Sequence, residues 1–218
     1  MSNFSLDASN PFSTRFVRPG AIEYLFPEGW SAERIIVALS ANGWRGSIVG
    51  PHGSGKSSLL ATLIPLLKQR GVLPYLISLH DKQRWLPHVG EPLRDSQSRL
   101  GEPRLRVLVI DGYEQLNRLS RWLVPFRCRN RGWGLLVTAH QNVSLPTIFE
   151  TSTSLMTFEA IVAQLLPPHV AILTSEDVAA AYANSAGNLR ESLFHLYDRY
   201  AKRADESNRR PLSSVETA

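Results

Sequence analysis

Residues 50–57 read Gly-Pro-His-Gly-Ser-Gly-Lys-Ser, which fits the pattern G-x-x-x-x-G-K-[ST]. Gly50, Gly53 and Gly55 make this stretch a turn, because glycine weakens both helix and strand interiors. The stretch before it, "RGSIVG", is a short apolar run ending in glycine and reads as a buried strand. From Gly55 to Arg70, residues Leu59, Leu60, Leu63, Leu66 and Leu67 fall on one side of a helix. Pro65 lies inside that helix and is expected to kink or shorten it.

The neighbouring segments extend the alternation. Ser31 caps a helix that carries Ile35, Ile36 and Leu39, with Gly43 ending it. "VLPYLISL", "LRVLVID" and "WGLLVTAH" read as the second, third and fourth strands, and "IFETSTS" as a fifth. "YEQLNRLSRWLVPFR" has helical spacing with Pro125 near its end. Residues 80–103 are polar and proline-rich, which gives a long loop with one helical turn. Strands alternating with helices imply an α/β fold, a parallel sheet of about five strands with helices on both faces. Three further helices then follow without strands: "LMTFEAIVAQLL", "TSEDVAAAYANSAG" and "NLRESLFHLYDRYAKR". Thr174 and Asp177 form a capping pair at the start of the second. The expected organisation is an irregular segment over 1–30, the core over 31–155, a small helical lid over 156–203, and a disordered tail over 204–218.

Bulk composition narrows the class. The 218 residues carry 24 Lys and Arg against 19 Asp and Glu, for a net charge of +5. That balance suits phosphate-bearing partners, nucleic acid included, or a soluble protein with a slight arginine excess. The lone cysteine, Cys128, excludes an internal disulfide framework. No apolar run approaches the roughly 20 residues of a membrane span, and the first residues lack a signal-peptide pattern. A cytoplasmic location is expected from these features.

A glycine-rich turn between strand and helix can wrap backbone N–H groups around phosphate oxygens, with the helix N-terminus adding partial positive charge. The cradle is Gly50, Pro51, His52, Gly53, Ser54, Gly55, Lys56, Ser57 and Ser58, with His52 and Ser54 at tolerant positions. Lys56 is expected on the β- and γ-phosphates and the Ser57 hydroxyl on Mg²⁺. The alternative is a turn that holds nothing. Asp111 ends the third strand, where it either holds Mg²⁺ directly or through water, or caps the next helix. Glu114 is a candidate to orient an attacking water, or a first-turn acid facing the helix dipole. Thr138, His140 and Gln141 stand at the end of the fourth strand, the ligand side of a parallel sheet. There they reach the γ-phosphate or the water, or form only a polar loop.

These residues resemble those of a known family. "GPHGSGKS" resembles a Walker A motif, "VLVID" a Walker B motif, and the end of "LLVTAH" a sensor-1 strand. "GNLRESLFHLYD" is similar to the sensor-2 helix of AAA+ proteins, with Gly187 and Arg190 at its motif positions. The resemblance covers about residues 30–203. It implies the additional-strand division of P-loop NTPases, in which the Walker B strand is not adjacent to the P-loop strand. It also implies that Arg190 reaches the γ-phosphate from the lid, against an alternative role in a surface ion pair. Two departures stand out. Gly112 follows Asp111 where many relatives have Glu, a form similar to STAND-type signalling ATPases. No Lys or Arg occurs between Gly132 and Leu189, where ring-forming relatives carry an arginine finger. Arg127, Arg129 and Arg131 precede the fourth strand, at its wrong end for the nucleotide of the same subunit. "TAH" is faintly similar to the switch histidine of ABC ATPases, but no "SGGQ"-like signature lies between the Walker motifs.

The expected function is that of an Mg²⁺-dependent ATP-binding protein and slow ATPase, acting as a motor or switch on a macromolecule. The alternatives are a non-hydrolysing nucleotide-gated adaptor and, behind it, a P-loop kinase. No N-K-x-D guanine signature is present, which favours adenine. Expected partners are a protein or a homo-oligomer. The loop around Trp85 offers a partner surface or disorder. Nucleic acid would use the basic clusters at Arg127–Arg131 and Arg199–Arg210, near Trp133 and Tyr200.

Overall fold

The computed structural model describes residues 10–79, 105–166 and 172–209. The long-loop reading of 80–103 and the tail reading beyond 209 lie outside the described residues. Two compact units divide the chain: Glu23–Ser152, and Met1–Ile22 together with Thr153–Ala218.

The first unit holds helix α2 (Ala32–Ala41), strand β1 (Arg45–Val49), helix α3 (Lys56–Gln69), β2 (Leu73–Ser78), β3 (Arg106–Asp111), a 3₁₀ turn (Tyr113–Gln115), α4 (Arg118–Asn130), β4 (Gly134–Ala139) and β5 (Thr147–Glu150). The five strands form one parallel sheet in the order β2-β3-β4-β1-β5. The α/β expectation therefore holds, and β4 separates β3 from β1. Side-chain alternation sorts the two faces. Ile48, Val107, Val109 and Leu136 pack with α2 and α3 through Ile35, Ile36, Leu39, Leu59, Leu63 and Leu67. Leu108, Ile110, Leu135 and Val137 pack on the opposite face with Val124 and Cys128 of α4. β1 and β4 sit mid-sheet, so the turn after β1 is carried on buried strands.

Several local expectations change. Pro65 does not end α3, which runs on to Gln69. Pro65 lies on the exposed side of the helix. Residues 113–127 are not one helix. Leu116 is extended, and Asn117 starts α4 by accepting the Ser120 N–H at 2.7 Å. Glu114 consequently lies in the 3₁₀ turn rather than in the first turn of the following helix. The fifth strand begins one residue before "IFETSTS" and ends within it, at Thr147–Glu150.

The second unit comprises α1 (Thr14–Val17), α5 (Leu155–Leu165), α6 (Ser175–Asn184) and α7 (Leu189–Arg209). Phe12, Phe158, Val162, Val178, Ala181, Leu193 and Leu196 form its core. The Asn10 amide donates to the Tyr197 carbonyl at 3.0 Å and ties the N-terminal segment to α7. Thr174 and Asp177 close the expected capping box. Helix α7 continues past residue 203 to Arg209. Among the described residues, no helix is long and apolar enough to cross a membrane.

Candidate phosphate-binding site

The turn from Gly50 to Gly55 joins β1 to the N-terminus of α3. Gly55 is the N-cap, with φ of 86°, and Gly53 has φ of 68°, both in the left-handed region that side chains avoid. At Gly50 the constraint is space. A Cβ there would collide with the hydroxyl and carbonyl of Thr151, just after β5. Ser54 is pinned beneath the turn, donating to the Pro51 carbonyl at 2.8 Å and sharing a 2.6 Å hydrogen bond with Thr151. Pro51 and His52 stay exposed at the tip, and Ser58 is half-buried in the first turn of α3.

Lys56 folds back over this turn. Its Nζ donates to the carbonyls of Gly50 and Pro51, at 2.6 Å each. Burial pushes its pKa below the usual lysine value, and the nearby Glu114 and Asp111 charges oppose that shift.

Ser57, one residue on, meets the end of β3: its hydroxyl donates to Asp111 Oδ2 at 2.7 Å. The other carboxylate oxygen accepts from Thr138 Oγ1 of β4 at 2.6 Å. Thr138 in turn accepts the Gly112 N–H at 2.9 Å. Asp111 is thus the junction of three elements whose C-terminal ends or N-terminus converge, as parallel β/α geometry requires.

Gly112 explains the departure after Asp111. Its φ is 82°, and a Cβ would lie 3.2 Å from the Leu79 carbonyl. A glutamate at this position would be strained and crowded. The 3₁₀ turn that follows carries Glu114. Glu114 Oε1 lies 3.2 Å from His140 Nε2, and Oε2 is buried without a hydrogen-bond partner. Burial raises the Glu114 pKa, with Lys56 and His52 pulling it down and Asp111 pushing it up. His140 lies just past β4, its ring 3.3 Å from that of His52 between centroids. Burial, then the Lys56 and His52 charges, push its pKa down to about 4, so the ring is neutral at pH 7.

The structure therefore gathers Gly50 to Ser58, Asp111, Glu114, Thr138 and His140 within the sheet unit. Arg190 belongs to the helical unit. It is exposed in the first turn of α7, with its backbone N–H on Asn188 Oδ1 and its guanidinium 5.8 Å from the Phe194 ring centroid. Gly187 before it has φ of 80° and would meet Thr153 and Tyr182 through a Cβ. Two arginines of the Arg199–Arg210 cluster are engaged internally. Arg199 donates to Asp177 at 2.7 Å, and Arg203 pairs with the same carboxylate.

Two residues beside the turn escaped the sequence reading. Thr151 braces Gly50 and Ser54, and could have been found because parallel strands deliver their C-terminal ends to one side. Tyr24 lies against Gly55, where a Cβ would stand 3.3 Å from its ring. Its burial raises the phenol pKa to about 12. No local pattern marks Tyr24.

The residues present fit a metal shared with phosphate. Mg²⁺ is generally held by one or two carboxylates plus phosphate oxygens and water. Asp111 and Ser57 supply a carboxylate and a hydroxyl that already touch. Among the described residues, no group of three His, Cys, Asp or Glu could hold a metal by itself.

No protein-family model matches the chain, and no curated protein matches it. Among solved structures, it is similar to C. elegans PCH-2 at 12% identity, over 80% of this chain and 67% of that one, with a TM-score of 0.38.

Proposed function

We propose that this chain binds Mg²⁺-ATP at the Gly50–Ser58 turn and hydrolyses it slowly, as a P-loop switch of AAA+-like type. The observation that carries the reading is the Ser57–Asp111 hydrogen bond, 2.7 Å long between residues 54 positions apart. It joins the end of the glycine-rich turn to the acid of the third strand, the pair a magnesium–phosphate site needs. Bound Mg²⁺ would neutralise phosphate charge beside Ser57 and Asp111.

The chain's own groups account for the rest. Lys56 exchanges two neutral carbonyl partners for phosphate oxygens, and the charge-assisted bonds are the stronger. The N-terminus of α3 and the turn's N–H groups add donors. Glu114 is a desolvated carboxyl with one free oxygen, suited to accept a proton from water or to orient it. Thr138 holds Asp111 in place, and neutral His140 keeps Glu114 turned inward. The macromolecule acted on would be a protein or further copies of this chain.

Calorimetry with Mg²⁺-ATP tests the reading. Binding is expected in the full chain and is lost in Lys56→Ala; binding unchanged by that substitution would sink the proposal. A second reading, a nucleotide-gated adaptor without hydrolysis, is favoured by Gly112 in place of the usual glutamate. Steady-state turnover well above ~0.1 s⁻¹ for the lone protein would reject it, since finger-less Ras-type NTPases are slower.

A further inference from the structure

Helix α4 has two faces that contrast in an unusual way. Ser120, Val124 and Cys128 point into the core beneath it. On the outside, Leu119, Trp122 and Phe126 are 53%, 68% and 54% exposed. Their spacing of i, i+3 and i+7 puts them on one stripe. The Trp122 and Phe126 rings are parallel to within 3°, with centroids 6.2 Å apart. At 100° per residue, exposed Arg118 and Arg129 fall on the same arc of about 100° as the stripe. A tryptophan left so open, next to a phenylalanine and a leucine, is costly in water and marks interaction surfaces.

Charge identifies the occupant. From Gln115 to Phe149 the chain contains no Asp or Glu, yet it carries Arg118, Arg121, Arg127, Arg129 and Arg131. A second copy docking through this same face would bring the same arginines against these and be repelled. Single-stranded nucleic acid binds in grooves that track its backbone, whereas this stripe runs along a convex helix and includes an aliphatic leucine. Leu119 to Phe126 spans about 10 Å of helix, roughly two turns. That length matches the apolar face of a partner helix.

We propose that the exposed face of α4 docks an amphipathic helix of a protein partner, whose apolar stripe covers Leu119, Trp122 and Phe126 and whose acidic flanks meet Arg118 and Arg129. This surface is independent of the nucleotide reading.

The test pans a displayed library of helical peptides, randomised at apolar and charged positions alike, on the full chain. Enriched peptides should carry an apolar i, i+3 or i+4, i+7 stripe flanked by Asp and Glu. Trp122→Ala and Phe126→Ala should each weaken their binding at least ~10-fold. Arg118→Glu combined with Arg129→Glu should abolish it, and peptides with Lys in place of the acids should restore it. These side chains are exposed, and circular-dichroism melts verify folding of each variant. Three outcomes would overturn the proposal. Enriched peptides without acidic bias, or insensitive to the variants, exclude the docking mode. A single-stranded DNA oligonucleotide that binds in a Trp122-dependent way and displaces the peptides makes this a nucleic-acid face. Sedimentation showing a dimer lost in Trp122→Ala makes it a contact between copies.

Discussion

Thr138 donates a 2.6 Å hydrogen bond to Asp111 while accepting the backbone N–H of Gly112 at 2.9 Å. One buried hydroxyl therefore fixes both the carboxylate beside the glycine-rich turn and the sharp bend that follows it. Thr138→Val keeps the shape and removes both bonds. The Gly112 N–H loses its acceptor, a loss of about 1–3 kcal/mol. Chemical denaturation should show that loss, and Mg²⁺-dependent turnover should fall with it.

Glu114 and Asp111 are expected to separate in their effects. Glu114→Gln keeps size and removes the basic carboxylate. Mg²⁺-ATP affinity should change little while turnover drops about 10²-fold, as for a lost general base. Asp111→Asn should remove the magnesium dependence of binding itself. Single-turnover kinetics beside calorimetry distinguishes the two, and equal effects on affinity would reject the assignment.

Gly50→Ala probes the space beside Thr151. The added methyl meets the Thr151 hydroxyl and carbonyl, and the latter is backbone that cannot rotate away. The turn must shift, so nucleotide affinity should fall at least ~10-fold, with a lowered melting temperature. An unchanged melting curve would show that the turn yields freely.

His140 links stability to pH. Its folded pKa, about 4, lies below the ordinary value of 6.5. The unfolded chain therefore takes up the proton first as pH falls. The contribution is fully present above pH 6.5 and is lost between 6.5 and about 4. Glu114 opposes this, since its raised pKa favours the folded state at lower pH. His140→Gln should flatten the pH dependence of denaturation midpoints across that window.

Asp177 acts lower on the pH scale. Burial alone would raise its pKa, but the Thr174 N–H and Arg203 outweigh burial and hold it at about 2. Its stabilisation is present above the ordinary value of 3.8 and is lost as pH falls through about 2. Asp177→Asn leaves Thr174 as the N-cap and removes the carboxylate charge that pairs with Arg199 and Arg203. Partly exposed ion pairs of this kind are worth about 0.2–1 kcal/mol each, and helical content of α6 and α7 should melt earlier by circular dichroism.

Much of the sheet unit was legible because its signals are local. The apolar runs, Ser31, and the glycines around Lys56 each reflect the conformation of neighbouring residues. The failures were also physical. Pro65 sits on the exposed side of α3, and the helix runs past it to Gln69. The helix expected after Asp111 broke at Leu116 because Asn117 offered its side chain as a cap.

By itself, the sequence determined the strand–turn–helix unit around Gly50–Ser57, the parallel α/β class and the helical character of the C-terminal part. Backbone preferences and hydrophobic periodicity decide those features within a few residues. Only the tertiary structure decided that Asp111 meets Ser57 and Thr138, that Thr151 and Tyr24 brace the turn, and that Glu114 lies against His140. It alone exposed Trp122 and Phe126 on α4. These contacts join residues dozens of positions apart. They exist because strand order brings the C-terminal ends of β1, β3 and β4 side by side, and that order is set by packing of the whole sheet.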